Sequence, residues 1–174
     1  MARKGQTSEA ITGEENIQLQ RYHNDFAKKA IMDDNIKIAI SHLKKAIYYG
    51  EKGNGLIMLL HLLIEKEKYD DAIKYASHAI SLDPHNGKAI YLKSLSYFYT
   101  EDYRNAIQYF KETLSVGGYL THEQILSTNY YAAISYFHLG KYSLALDYFE
   151  RVGKIQPTFE DLSNWIKKTQ KKMR

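Results

Sequence analysis

The sequence predicts an all-α chain, a solenoid of antiparallel helix pairs, on three observations. Four segments align with one another at successive spacings of 33, 34 and 39 residues. Each carries a small residue followed by an aliphatic one, with further packing residues four and seven positions on. Between successive segments lies a second amphipathic stretch of similar length. A recurrence of this size marks a repeat architecture, whose units bury their apolar faces only by stacking.

The segments are DNIKIAISHLKKAIYYG, KYDDAIKYASHAISLDP, DYRNAIQYFKETLSVGG and KYSLALDYFERVGKIQP. Their paired positions are Ala39-Ile40, Ala72-Ile73, Ala106-Ile107 and Ala145-Leu146. Leu43, Ala76, Phe110 and Phe149 follow four residues later, then Ala46, Ala79, Thr113 and Val152 three further on. The i, i+4, i+7 spacing puts all three on one helical face. Small residues let two helices cross closely, and the bulky ones a turn away fill the grooves.

Tight turns are expected at Asp33-Asp34-Asn35, Lys66-Glu67-Lys68, Thr100-Glu101-Asp102 and Leu139-Gly140-Lys141. Pro84 and Pro157 stop the second and fourth segments. The longest interval holds GGYLTHEQI, where Gly117-Gly118 ends one helix and Thr121 with Gln124 forms a capping box opening the next. That insertion lengthens the first helix of the fourth pair. After Pro157, Thr158 is the expected N-cap of a last helix, with acids in its first turn and lysines at its end. Phe159, Leu162, Ile166 and Met173 share a face there, with Trp165 at its edge. The expected organisation is a flexible segment over 1–14, pairs over about 15–50, 53–84, 87–118 and 121–157, and a capping helix over 158–174.

Composition narrows the function class. The chain of 174 residues has no cysteine, which removes disulfides and thiolate metal sites. Its start, MARKGQTSEAITGEEN, has no apolar run to make a signal peptide, and the Leu56 to Ile64 stretch is too short to span a bilayer. A cytoplasmic protein without a transmembrane segment is expected. The net charge is +4, but five positive charges stand in the last eight residues, so the rest of the chain sums to −1. A near-neutral body with one basic end lacks the broad footprint of most nucleic-acid binders. That basic end reads as a solvated helix terminus, or as a contact for an acidic partner or anionic lipid.

The recurring positions resemble the tetratricopeptide repeat (TPR) family, over roughly residues 20 to 157. The clearest repeats are AIYLKSLSYFYTEDYRNAIQYFKETL and NYYAAISYFHLGKYSLALDYFERV. Ser94, Ala133, Tyr97 and Tyr136 stand where the family has small and aromatic residues in its first helix, and Tyr69, Tyr103 and Tyr142 are the turn tyrosines. The first repeat departs most, with Ile36 in place of the turn tyrosine. The resemblance implies a right-handed α-α superhelix, about four repeats and a capping helix, whose first helices line a concave groove.

It also implies a partner protein in that groove, held as a peptide or a helix. The groove residues implied are Arg21, Asn24 and Lys28, then Asn54, Ile57, His61 and Glu65. The third repeat adds Lys88, Tyr91, Leu95, Phe98 and Tyr99, and the fourth Ser127, Tyr130, Ile134, Phe137 and His138. The third repeat has two apolar stripes, Tyr91-Leu95-Phe98 and Ile90-Ser94-Tyr97, so one is core and the other is core or ligand surface. Aromatic anchors are the usual energetic centre of peptide recognition. The carboxylate clamp of relatives that bind acidic chaperone tails is incomplete, since Ile57, Met58 and Leu92 occupy clamp positions. An apolar peptide or amphipathic helix suits the groove better.

No catalytic, cofactor or metal site is expected. GEKGNG at 50–55 lacks the Lys-Ser/Thr ending and preceding strand of a phosphate loop and reads as a turn. His61 and Glu65 make an i, i+4 pair, fewer ligands than zinc needs. The reading is therefore a non-enzymatic adaptor, scaffold or assembly chaperone. The alternatives are an RNA-binding helical-repeat protein and a structural subunit of a larger complex. RNA-reading repeats use polar code positions, yet the corresponding places hold Asn24, Ile57, Tyr91 and Tyr130. An exposed apolar groove is also open to self-association.

Overall fold

A computed structural model describes residues 12–116 and 120–174. Among them are nine helices and no strand. They are α1 (Gly13–Met32), α2 (Ile36–Tyr48), α3 (Asn54–Glu65), α4 (Tyr69–Leu82), α5 (Gly87–Tyr99), α6 (Tyr103–Val116), α7 (His122–His138), α8 (Tyr142–Ile155) and α9 (Leu162–Met173). The chain divides into two compact units, Met1–Leu59 and Leu60–Arg174, with the boundary inside α3. The fold is an all-α solenoid of helix pairs joined by tight turns.

The alanine positions explain the packing. Ala39, Ala72, Ala106 and Ala145 have no exposed surface, and neither do Ala76, Phe110 and Phe149 a turn further on. Leu43, Ala46, Ala79, Thr113 and Val152 are buried with them. In the first unit this seam joins α2 to α1; in the second, α6 and α8 bury it against α5 and α7. Burying a phenylalanine of this kind contributes about 1.5–3 kcal/mol, while the alanines contribute by permitting close approach.

The four expected turns share one geometry. Asp34, Glu67, Glu101 and Gly140 all take positive φ, at 54°, 56°, 60° and 71°. In each, the amide after that residue donates to a carbonyl five positions back: Asn35 to Ala30, Lys68 to Leu63, Asp102 to Tyr97 and Lys141 to Tyr136. These are Schellman closures, which satisfy the last carbonyls of the first helix and turn the chain into the second. Gly50, at φ 104°, closes α2 in the same way.

Three local expectations are corrected. Residues 12–14, placed in a flexible segment, instead open α1. Thr12 caps that helix and Glu15 returns the bond, a capping box hidden in TGEE. At the other end α9 begins at Leu162, with Asp161 rather than Thr158 as its N-cap. Of the expected face Leu162 is buried and Ile166 half-buried beside Trp165, the buried Thr169 joins them, and Met173 is half exposed. Glu160, at φ 41°, breaks the helical path after Thr158 and so delays the start.

The expected capping box of α7 is present, with Thr121 accepting from the Gln124 amide and Gln124 returning the bond. That helix runs for 17 residues against 13 in α5, so the insertion has lengthened it. The helix end expected at Gly117-Gly118, like residues 1–11, lies outside the described residues.

Candidate functional site

In the unit Leu60–Arg174, a groove of about 560 Å³ is lined from several helices. His61 comes from the end of α3 and Tyr91, Leu95 and Tyr99 from one face of α5. The first turns of α7 add Glu123, Gln124 and Ser127, its middle adds Tyr131, and the α8–α9 connection adds Gln156, Phe159 and Glu160. The groove exists because α5 and α7 are buried on more than one face, leaving only a strip of each open. Tyr91 ties the two helices together through a 3.0 Å bond between its hydroxyl and Ser127 Oγ.

Of the predicted groove residues, His61, Tyr91, Leu95, Tyr99 and Ser127 converge here. Tyr99 is 42% exposed and stacks on Tyr69, with ring centroids 5.3 Å apart. Phe98 points elsewhere, packing on Tyr131 and Tyr103. His138 is exposed and stacks on Tyr103. Ile57 is half-buried on α3.

Tyr130, Ile134 and Phe137 depart from expectation. All three are buried. The Tyr130 ring meets Phe149 and Phe159, and Phe137 meets Tyr142 and Trp165. The last helix packs on α7 and α8, and it takes these side chains into the core. The groove's aromatic from α7 is Tyr131, one position on and so about 100° round the helix. Of the two stripes on α5, Ile90 and Ser94 are fully buried, while Tyr91 and Leu95 are mostly buried with an edge in the groove.

The electrostatics of the groove are acidic. The carboxylates of Glu123 and Glu160 make no hydrogen bond or ion pair among the described residues. Burial lifts the Tyr91 phenol above the usual tyrosine range, and Tyr99, Glu123 and Glu160 add to the effect. Burial does the same to Tyr131, with Tyr99 and Glu160 contributing. His61 is held below the ordinary histidine range by burial and then by Lys88, so it is neutral near pH 7. Sequence reasoning missed Glu123, Gln124, Tyr131, Gln156, Phe159 and Glu160. The insertion before α7 was a signal for the first two; the α8–α9 connection left none.

Asn24 and Lys28 belong to a separate polar pocket of about 250 Å³ within Met1–Leu59, shared with Glu51, Asn54, Gly55 and Met58. Glu51 is its centre and is buried. Its Oε2 accepts from Gln20 and Asn24, and its Oε1 accepts from the Gly53 and Gly55 amides. The carboxylate therefore caps α3 and ties it to α1. Burial pushes its pKa up, but four donated bonds outweigh that and hold it below the usual carboxylate range. A Cβ at Gly55 would sit 2.6 Å from Asn24 Oδ1, so only glycine fits there.

The family described as anaphase-promoting complex, cyclosome, subunit 3 matches residues 65–152, half of the chain. The chain belongs to this family of tetratricopeptide-repeat proteins. A structure of MamA aligns with this TPR chain at a TM-score of 0.80 and 18% identity, covering 90% of this chain and 83% of that one. YrrB, described as a TPR protein with an unusual peptide-binding site, aligns at 0.72 and 20% identity, covering 89% and 77%. The first TPR domain of human RPAP3 aligns at 0.59 and 19% identity, covering 68% and 89%. At these identities the likeness is one of fold. No curated protein matches the sequence. TPR proteins are in general protein–protein interaction modules. Among the described residues, no helix is long and apolar enough to cross a membrane.

Proposed function

We propose that this TPR protein is a non-enzymatic interaction module that holds a segment of a partner protein in the groove of residues 60–174. The segment binds as an extended peptide or an amphipathic helix, and the protein acts in the cytoplasm as an adaptor, scaffold or assembly chaperone. One observation carries this reading: Tyr91, Leu95, Tyr99, Tyr131 and Phe159 converge on one groove rimmed by two unpaired carboxylates. Apolar and aromatic surface supplies affinity, and unpaired rim charges supply selectivity. The fitting segment carries an apolar anchor beside a Lys or Arg, which faces Glu123 and Glu160 and the tyrosine rings. Asn24 and Lys28 form a further polar contact for partner backbone in the first unit.

Affinity capture from the native cell, read by quantitative mass spectrometry, tests this. The wild type is compared with Tyr99→Ala and Glu160→Lys, both at exposed positions. The same proteins should be lost from both captures, with the melting temperature unchanged for Glu160→Lys and lowered modestly for Tyr99→Ala, which gives up its stack on Tyr69. Capture that survives both substitutions would sink the groove reading. A structural subunit of a larger assembly is a second reading, favoured by the description of the matching family. RNA is disfavoured in this groove because Glu123 and Glu160 would repel phosphate; binding to single-stranded RNA that weakens steeply with salt would reverse that.

A further inference from the structure

We propose that a second cleft in residues 60–174, sharing no residue with the aromatic groove, docks an acidic amphipathic segment of a partner protein. The cleft has a volume of about 520 Å³ and lies along the second helices of two successive repeats. Arg104, Ile107 and Lys111 form one wall, spaced i, i+3, i+7 and therefore on one face of α6. Tyr136 and Leu139 from the end of α7, Lys141 from the next turn and Leu144 from α8 complete it.

Its charge is of one sign. Arg104, Lys111 and Lys141 are all exposed, and none of their side chains makes a hydrogen bond or ion pair among the described residues. Among the described residues no carboxylate lines the cleft. On α8 the Arg151 guanidinium lies 4.6 Å from the centre of the Tyr148 ring, although the same helix also carries the exposed acids Asp147 and Glu150 outside the cleft. Lys111 and Arg151 both act on that phenol. Like charges gathered around a concavity repel one another, and a ligand of opposite sign relieves the repulsion.

The floor decides the ligand class. Ile107, Leu139 and Leu144 bring apolar surface between the cations, and Leu144 is 42% exposed. A lone phosphate would leave that surface wet. A helix or strand with Asp or Glu flanking a leucine covers it and pairs the cations together, so side chains of both kinds contribute. The acidic groove and this basic cleft thus select partners of opposite character on one unit.

The test titrates the full-length protein with three labelled probes at low salt. They are a short peptide of glutamates and leucines at helical spacing, its glutamine counterpart, and a single-stranded RNA oligonucleotide. The glutamate peptide should bind and the glutamine peptide should not. Triple reversal of Arg104, Lys111 and Lys141 to Glu should weaken binding at least about tenfold with an unchanged melting curve. Tyr99→Ala in the groove should leave it intact, which separates this surface from the proposed groove. Lys141→Glu alone, in a turn, serves if the triple variant melts early. No binding of the glutamate peptide overturns the proposal, as does binding lost only when Lys167, Lys168, Lys171 and Lys172 are reversed. Tighter binding of RNA, removed by the triple reversal, assigns the cleft to phosphate and overturns it as well.

Discussion

The ring of Tyr103 lies face to face with the imidazole of His138, centroids 4.6 Å apart and planes 10° from parallel. Tyr103 opens the second helix of its repeat, and His138 closes the first helix of the next. Tyr69 and Tyr99 repeat the relationship one repeat earlier, with planes 20° apart. The turn tyrosine is therefore a link between repeats as well as a turn residue. Partial desolvation, with Lys168 adding, holds the otherwise exposed His138 below the ordinary histidine range despite the opposing pull of Glu101. Tyr103→Ala should return the His138 pKa towards its ordinary value and lower stability by about 1–3 kcal/mol. Imidazole titration by NMR and urea unfolding read the two effects, and an unmoved titration would show that the stack does not shield the ring.

Acid should loosen the first unit. His23 Nδ1 and His42 Nδ1 are 3.0 Å apart, so one donates and the other must stay unprotonated to accept. Phe26 stacks on His42 and Tyr49 on His23, with Lys45 close enough to oppose further positive charge. Burial first, then His42 and Lys45, hold His23 low; burial and then Lys45 do the same to His42. With folded values below the ordinary 6.5, the unfolded chain binds more protons in the window beneath it. Stability is therefore full above 6.5 and falls as pH drops through the folded values. Hydrogen exchange in α1 and α2 should quicken, after correction for intrinsic rates, between about pH 7 and about pH 5. The double variant His23→Gln, His42→Gln should lose most of that dependence.

The turns offer a stability gain. Glu67 and Glu101 hold left-handed backbone, which costs a non-glycine residue about 1 kcal/mol. Glu67→Gly and Glu101→Gly should each raise stability by roughly half to one kcal/mol in chemical denaturation. Gly140→Ala should lower it by a similar amount. A loss from both glycine substitutions would mean that the glutamates make compensating contacts.

Glu51 should behave as a keystone of the first unit. Glu51→Gln keeps the size but exchanges an acceptor for a donor, leaving amide hydrogens around it without partners. A loss of about 1–3 kcal/mol is expected, seen as reduced exchange protection in α1 and early α3. Gly55→Ala should add to the damage by displacing Asn24. Because the folded carboxylate titrates low, its contribution persists above the ordinary 4.5 and disappears as pH falls through the folded value.

The seam was legible in the sequence because it repeats: Ala39, Ala72, Ala106 and Ala145 recur with their partners at fixed offsets. The four turns were legible for the same reason. The site was only half so. Tyr91, Leu95 and Tyr99 follow from repeat position, but Tyr130, Ile134 and Phe137 fill a face that α9 covers. A periodic rule describes a unit with a neighbour like itself, and the last pair has a neighbour unlike itself. Glu51 was unreadable for a related reason: it stands outside the period, and its two side-chain partners are 31 and 27 residues away.

The buried hydroxyls of α5 and α7 have a mechanical consequence. Ser96, Thr128 and Ser135 direct their hydrogen bonds to the carbonyls of Leu92, Gln124 and Tyr131, four residues back in their own helices. These groups are satisfied without reaching across to a neighbour. At those points the interfaces are held by the shapes of side chains, which can slip by a fraction of a turn and find new contacts. The Tyr91–Ser127 bond then acts as a pivot between α5 and α7, about which the surrounding apolar contacts have room to adjust. In the proposed binding mode, a guest that fits imperfectly is met by a small shear of the walls.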